Sequence, residues 1–181
     1  MNIPEAYDYL VRARRDLWAT LAAVPDAVLS RPLLDGERLH SIKDLIVHTA
    51  VVEDGWLHGN ILGVPPVIAR MPGLNETRGG PVYARFALDT LLDYWRAVEQ
   101  DTVAYLSTLT EAGLRRVVAD QPDDGGPEQH HTVDGLLWHV MIHEMRHTAQ
   151  IAVLLRTQGV RPPSLDLLFY LPLTPLPVAG G

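Results

Sequence analysis

The segment His139-Val-Met-Ile-His143-Glu-Met-Arg-His147-Thr-Ala-Gln150-Ile-Ala-Val-Leu154 carries three histidines at successive four-residue steps and contains neither proline nor glycine. On a helix, residues four apart sit one above the other on one face. The seam Leu136, Val140, His143, His147, Gln150, Leu154 advances by steps of four, three, four, three and four, the spacing of positions that face a neighbouring helix. Two histidines and a glutamine therefore stand where leucines would pack. Such a conflict between pattern and polarity marks a functional site.

The remaining chain supplies helices to face this one. Pro4 suits a first helical turn, and a helix is expected through Ala6, Leu10, Leu17, Trp18, Leu21 and Val24 until Pro25 interrupts it. Residues 26–40 form a connector. Ser41 and Asp44 make an S-x-x-D start signal for a second helix through Leu45, His48, Val52 and Trp56 toward Leu62. His48 is again polar on an apolar stripe, whereas His58 is expected at the surface. Residues 63–81 hold four prolines and four glycines and read as a crossover too long for a tight turn. A third helix is expected from Val82 to about Leu114, with Phe86, Leu91, Trp95, Val98, Val103 and Leu106 inward. Val117 and Val118 suit a short extended piece, and His130 and His131 a solvated loop. Thr132 caps the fourth helix, which stops near Gly159. The segment 160–181, with Leu165, Leu167, Leu168, Phe169 and Tyr170, is expected to anchor on one end of the bundle or to form a subunit contact. The expected architecture is all-α: one domain over 1–181, a four-helix bundle with long crossover loops.

Composition narrows the partners. A formal net charge of -7 without any lysine or arginine cluster gives nucleic acid no basic footprint. With no cysteine, disulfides, zinc–thiolate sites and thiol catalysis by the chain itself are excluded. No apolar run approaches the roughly 20 residues that span a bilayer. The mixed, charged start of the chain is unlike a secretory signal, so a cytoplasmic location is expected.

His143 and His147 present two imidazoles at a spacing suited to one divalent metal ion, and His48 can add a third from the facing helix. Three protein ligands leave positions open for water or substrate, the arrangement of a catalytic centre. Imidazole suits zinc, nickel, iron or copper; zinc or nickel is the first expectation, with iron or manganese behind. His139 extends the row slightly off the seam as a lining or structural residue. Gln150, Trp56 and Trp138 are candidate pocket residues. Glu144 reads as a solvated flank residue or as an acceptor for an imidazole N–H.

The run Thr132-Val-Asp-Gly-Leu-Leu-Trp-His139-Val-Met-Ile-His143-Glu-Met-Arg-His147-Thr-Ala-Gln150 resembles the last-helix signature of the DinB/YfiT-like family, and Ser41-Ile-Lys-Asp-Leu-Ile-Val-His48 resembles its second-helix motif. Thr148-Ala149 departs from the arginine-glycine of many relatives. The resemblance implies a four-helix bundle, often a homodimer, holding a divalent metal through the positions of His48, His143 and His147. Some relatives are thiol-S-transferases that join a low-molecular-weight thiol such as bacillithiol to an electrophile, or mycothiol-dependent enzymes, and the family name points to a stress response. A small-molecule thiol and an electrophilic co-substrate are then the expected partners. Two other readings compete. One is a non-catalytic metal-binding bundle or small-ligand sensor. The other follows from His143-Glu144-Met-Arg-His147, a literal H-E-x-x-H, which in metallohydrolases supplies two zinc ligands and a general base. Asp166 would be its third ligand.

Overall fold

In the computed structural model, residues 1–35, 39–75, 83–122 and 125–172 are described. Four long helices carry the fold: α1 (Ile3–Ala22), α3 (Ile42–Asp54), α4 (Leu88–Ser107) and α6 (Val133–Thr157). Two short helices, α2 (Asp26–Leu29) and α5 (Glu111–Arg115), lie in the connections. Helix α3 packs on α4 and α6, and α1 packs on the same two, so α1 and α3 face each other across the bundle. The long connection between α1 and α3 follows from that diagonal arrangement.

Local chemistry sets the boundaries. Asn2 accepts from the Glu5 amide while Glu5 accepts from the Asn2 amide, a capping box that holds α1 at its start. Ser41 and Asp44 form the same reciprocal pair on α3. Thr132 Oγ1 accepts from the Gly135 amide at the start of α6. The turn after α6 passes through Gly159 at φ +75°, a left-handed conformation that glycine adopts without a steric cost.

Several expectations change. Past Asp54 the second helix continues to Leu62 as a π-helical stretch, Gly55–Leu62, rather than as α-helix. The third helix begins at Leu88 and ends at Ser107; Val82 lies outside the described residues, Tyr83–Arg85 is a 3-10 turn, and α5 is separate, capped by Thr110. Val103 faces solvent at 48% exposure instead of joining the core. His130 and His131 belong to a strand, β2 (Gln129–Thr132), paired antiparallel with β1 (Val117–Asp120). Their backbone bonds thus close a small hairpin at one end of an otherwise helical fold. Beyond α6, Leu165 and Tyr170 pack on α1, with Tyr9 and Tyr170 edge to face at 5.4 Å. Leu168 and Phe169 are instead exposed, and residues 173–181 lie outside the described residues. Among the described residues, no helix is long and apolar enough to cross a membrane.

The interior is two apolar clusters with a polar layer between them. One gathers Leu17, Leu21, Ile42, Leu45, Ile46, Leu91, Trp95, Val98, Ile151 and Leu155; the other gathers Ile3, Leu10, Ile61, Leu106, Val133, Leu136, Leu137 and Met141. Each fully buried leucine or isoleucine contributes about 1.5–3 kcal/mol relative to an exposed one. Where the clusters part, α1 offers Arg14, α3 Glu53, α4 Glu99 and α6 Glu144, all buried. The histidines of α6 sit at this same level.

Candidate metal centre

Helices α3 and α6 are in direct contact, and three imidazoles meet along their junction. His143 Nε2 lies 3.1 Å from His48 Nε2 and 3.1 Å from His147 Nε2. The ligand atoms of His48, His143 and His147 all lie within 4.8 Å of one another. His143 and His147 are buried on one face of α6, and His48 is half-buried on α3. The four-residue step along α6 brings its two rings to a centroid separation of 4.3 Å, and the ring of His48 stands perpendicular to that of His147.

Burial disfavours the protonated form of the two rings on α6. Burial pushes His143 down to about 3, helped by His147, His48 and Arg146 nearby. Burial also lowers His147, against the opposing hydrogen bond to Gln150. Neutral imidazole is the form that ligates metal. His147 Nδ1 lies 2.6 Å from Gln150 Oε1, so Nδ1 carries the proton and Nε2 keeps its lone pair toward the shared point. A donor set of nitrogens about 3.3 Å apart is what tetrahedral ligation at about 2.0–2.1 Å requires. The two 3.1 Å edges fit that requirement.

The mouth of this junction is lined by groups of one character. Arg146 Nη2 lies 3.4 Å from His147 Nε2. The exposed His139 stacks its ring 5.9 Å from that of His143. The π-helical segment turns Trp56 so that its edge meets His139 at 5.6 Å and His131 at 6.3 Å. Widened helical turns of this kind recur at functional sites. His131, expected in a solvated loop, thereby reaches the periphery of the site through β2.

A second polar cluster was not anticipated. Arg14 Nε donates to Glu144 Oε1 at 2.9 Å and Nη2 to Glu144 Oε2 at 2.6 Å; Nη1 donates to Glu99 at 2.8 Å and Nη2 to Glu53 at 3.3 Å. Glu53 also accepts from Tyr7, from Thr102 at 2.8 Å and from Trp95 Nε1 at 3.2 Å. Arg15 closes the cluster on Glu99 from the surface. Burial raises Glu144 despite the guanidinium beside it. For Arg14, burial acts to lower the value but Glu144, Tyr7 and Glu53 outweigh it, leaving the guanidinium firmly charged.

This cluster decides how H-E-x-x-H is used. Glu144 is neither solvated nor bonded to an imidazole; both its oxygens are committed to Arg14 in the interior. It is thus not placed as a general base at the histidines. Asp166 lies beyond α6 with Ser164 and lines a cavity beside Tyr9, and the clustered set contains His48 in its place. His58, expected at the surface, is a buried residue of the π-helical segment, with Nδ1 2.7 Å from Asp54 and Nε2 3.1 Å from Asp101. Asp54 in turn accepts from the amides of Val67 and Ile68, which pins the long connection after α3.

A family model, that of the DinB family, matches residues 1–177. The chain belongs to the DinB family. The crystal structure of a conserved protein from Enterococcus faecalis is similar, with a TM-score of 0.66 at 20% identity, over 86% of this chain and 96% of that one. That likeness concerns the fold. No curated protein matches the chain. Membership of the DinB family and the three-histidine cluster are together compatible with metal binding.

Proposed function

We propose that this protein binds one divalent metal ion through His48, His143 and His147 and uses it to activate a low-molecular-weight thiol for transfer to an electrophile. The observation that carries the reading is the convergence of three imidazoles from two helices, with ligand atoms within 4.8 Å, at a rim position rather than in the sealed core. Among the described residues no cysteine or carboxylate joins them, so three protein ligands leave the coordination open. Zinc or nickel suits such a nitrogen set.

A divalent ion held by His48, His143 and His147 would lower the pKa of a bound thiol from its usual value of about 8.5 and so favour the reactive thiolate. The chain's own residues prepare that state. Gln150 fixes the tautomer of His147, burial keeps His143 and His147 unprotonated, and the packing of α3 on α6 sets where the three rings meet. In the transfer, the S–H proton passes to solvent, a sulfur–carbon bond forms, and the bond to the electrophile's leaving group breaks with its electron pair. The sulfur is supplied by the small molecule because the chain has no cysteine. The test is direct. Metal analysis of protein purified without an affinity tag should find one zinc or nickel per chain, and bacillithiol added to cobalt-substituted protein should produce a sulfur-to-cobalt charge-transfer band. An unaltered cobalt spectrum at millimolar thiol sinks the transferase reading.

A further inference from the structure

We infer that the small molecule taken up at the histidine site is an anion whose carboxylate, or other planar oxyanion, is received by Arg146. This deepens the proposed function and rests on it. Arg146 follows Met145 on α6 and sends its guanidinium back over the row of histidines, so that Nη2 reaches within 3.4 Å of His147 Nε2. That nitrogen is the one whose lone pair points to the shared point of the three rings. The guanidinium therefore stands at the mouth of the site and not along the outer face of the helix.

Among the described residues Arg146 forms no ion pair with a carboxylate, as is true also of Arg31, Arg85, Arg116, Arg156 and Arg161; what sets it apart is its place beside His147 Nε2. The one acidic residue between the two α6 ligands, Glu144, is turned into the core and neutralised there by Arg14. A chain of net charge -7 thus presents a cation, three imidazoles and the edge of an indole at this mouth. A planar guanidinium with several N–H donors matches a carboxylate through paired, charge-assisted hydrogen bonds, and a neutral ligand offers it nothing comparable. The Trp56 ring, edge to face with His139 at 5.6 Å, adds apolar surface next to the histidine row, which favours a compact organic anion over a free inorganic one.

The experiment uses cobalt-loaded full-length protein and two probes of one shape: 3-mercaptopropionate, which is anionic, and 3-mercaptopropanamide, which is neutral. Cobalt is first added to one equivalent and its visible spectrum recorded. The sulfur-to-cobalt band is then titrated with each thiol. The expected result is a preference of about tenfold for the carboxylate, the equivalent of one paired hydrogen bond to a charged group. The variant Arg146→Gln should bring the anionic probe down to the affinity of the amide, at unaltered cobalt stoichiometry and melting temperature. Arg146 is exposed on α6, so the variant puts no core contact at risk. Equal affinity for the two probes in the native protein overturns the inference, as does a preference that survives in Arg146→Gln. If no cobalt spectrum develops before thiol is added, the metal reading itself fails, and this inference falls with it in a way that the titration arms do not mimic.

Discussion

Two polar clusters lie at one level of the bundle, a helix apart, and they resolve the same physical problem in opposite ways. In the interior, three carboxylates from α3, α4 and α6 converge on a guanidinium from α1, so the cation that reconciles them is part of the chain. At the junction of α3 and α6, three imidazoles converge on one another, with burial keeping His143 and His147 unprotonated and the Arg146 guanidinium at their edge beside His147. The first cluster is complete as it stands, and its business is to hold four helices in register. The second groups three ligand nitrogens in the way a metal ion would need, and that is what makes it a candidate site.

The sharpest way to break this contrast is to take the internal cation away. Replacing Arg14 by methionine keeps roughly the volume but leaves Glu53, Glu99 and Glu144 without a counter-charge. Breaking a buried ion pair from one side costs about 3–5 kcal/mol, so urea unfolding of Arg14→Met should show a loss of that size, with or without metal. If Arg14→Met is as stable as the native chain, the cluster is not what joins the helices.

The histidine cluster should behave the other way. His48→Ala removes a half-buried ring, so the metal-free variant should match metal-free native protein within about 1 kcal/mol. Zinc at 100 times its dissociation constant should stabilise the native protein by about 2.7 kcal/mol, and His48→Ala should lose that gain together with the bound zinc. A chelator that unfolds the native protein outright would instead make the ion structural. Smaller still is the effect of Gln150, which touches only the far nitrogen of His147. Gln150→Leu should weaken zinc binding by about 10- to 100-fold, as removal of a ligand's hydrogen-bond partner typically does, while leaving one site per chain in a competition titration.

The same sequence rule that exposed one cluster could have exposed the other. His143 and His147 were conspicuous because they replace leucines on a seam. Arg14 stands on the stripe Leu10, Arg14, Leu17, Leu21, and Glu53 on the stripe Ile46, Ala50, Glu53, Leu57. These breaks were equally visible, but an arginine or glutamate on a helix is ordinarily read as a solvated residue with a long stem. Only the diagonal placement of α1 and α3, a tertiary fact, shows that the charges meet. His58 escaped for a related reason. His58 follows the buried Asp54 by four residues and shares its inward face, a placement that the stripe through His48, Val52 and Trp56 does not reveal. Glu144 reads locally as a solvated flank residue or an acceptor for an imidazole N–H, because the partner that draws it inward lies 130 residues earlier. What local spacing does encode well is the caps and the helical seams, because both depend on residues three or four apart.

One ion pair stands between the two clusters in kind and sharpens the contrast from its weak end. Lys43 is almost wholly buried at the start of α3, with Nζ 2.6 Å from Asp26 Oδ1 and 2.7 Å from the carbonyl of Phe86, yet the Asp26 side chain is 65% exposed. The hydrogen bond from Lys43 holds the Asp26 carboxyl below the ordinary carboxylate range, with Ser30 adding to it. A carboxyl that is more acidic in the folded chain binds fewer protons there than when unfolded, so it adds stability above the unfolded value near pH 4, and that stability is lost as pH falls through the lower folded value. Solvent screens the exposed partner, which limits the contribution to roughly a few tenths of a kcal/mol. Asp26→Asn should therefore melt slightly below native protein at pH 7, and the difference should shrink as the pH is taken from about 5 toward 3. A gap that stays constant over that range would show that the lysine is held by the carbonyls of Ala84 and Phe86 alone, and that only charges sealed on both sides, as around Arg14, matter to this fold.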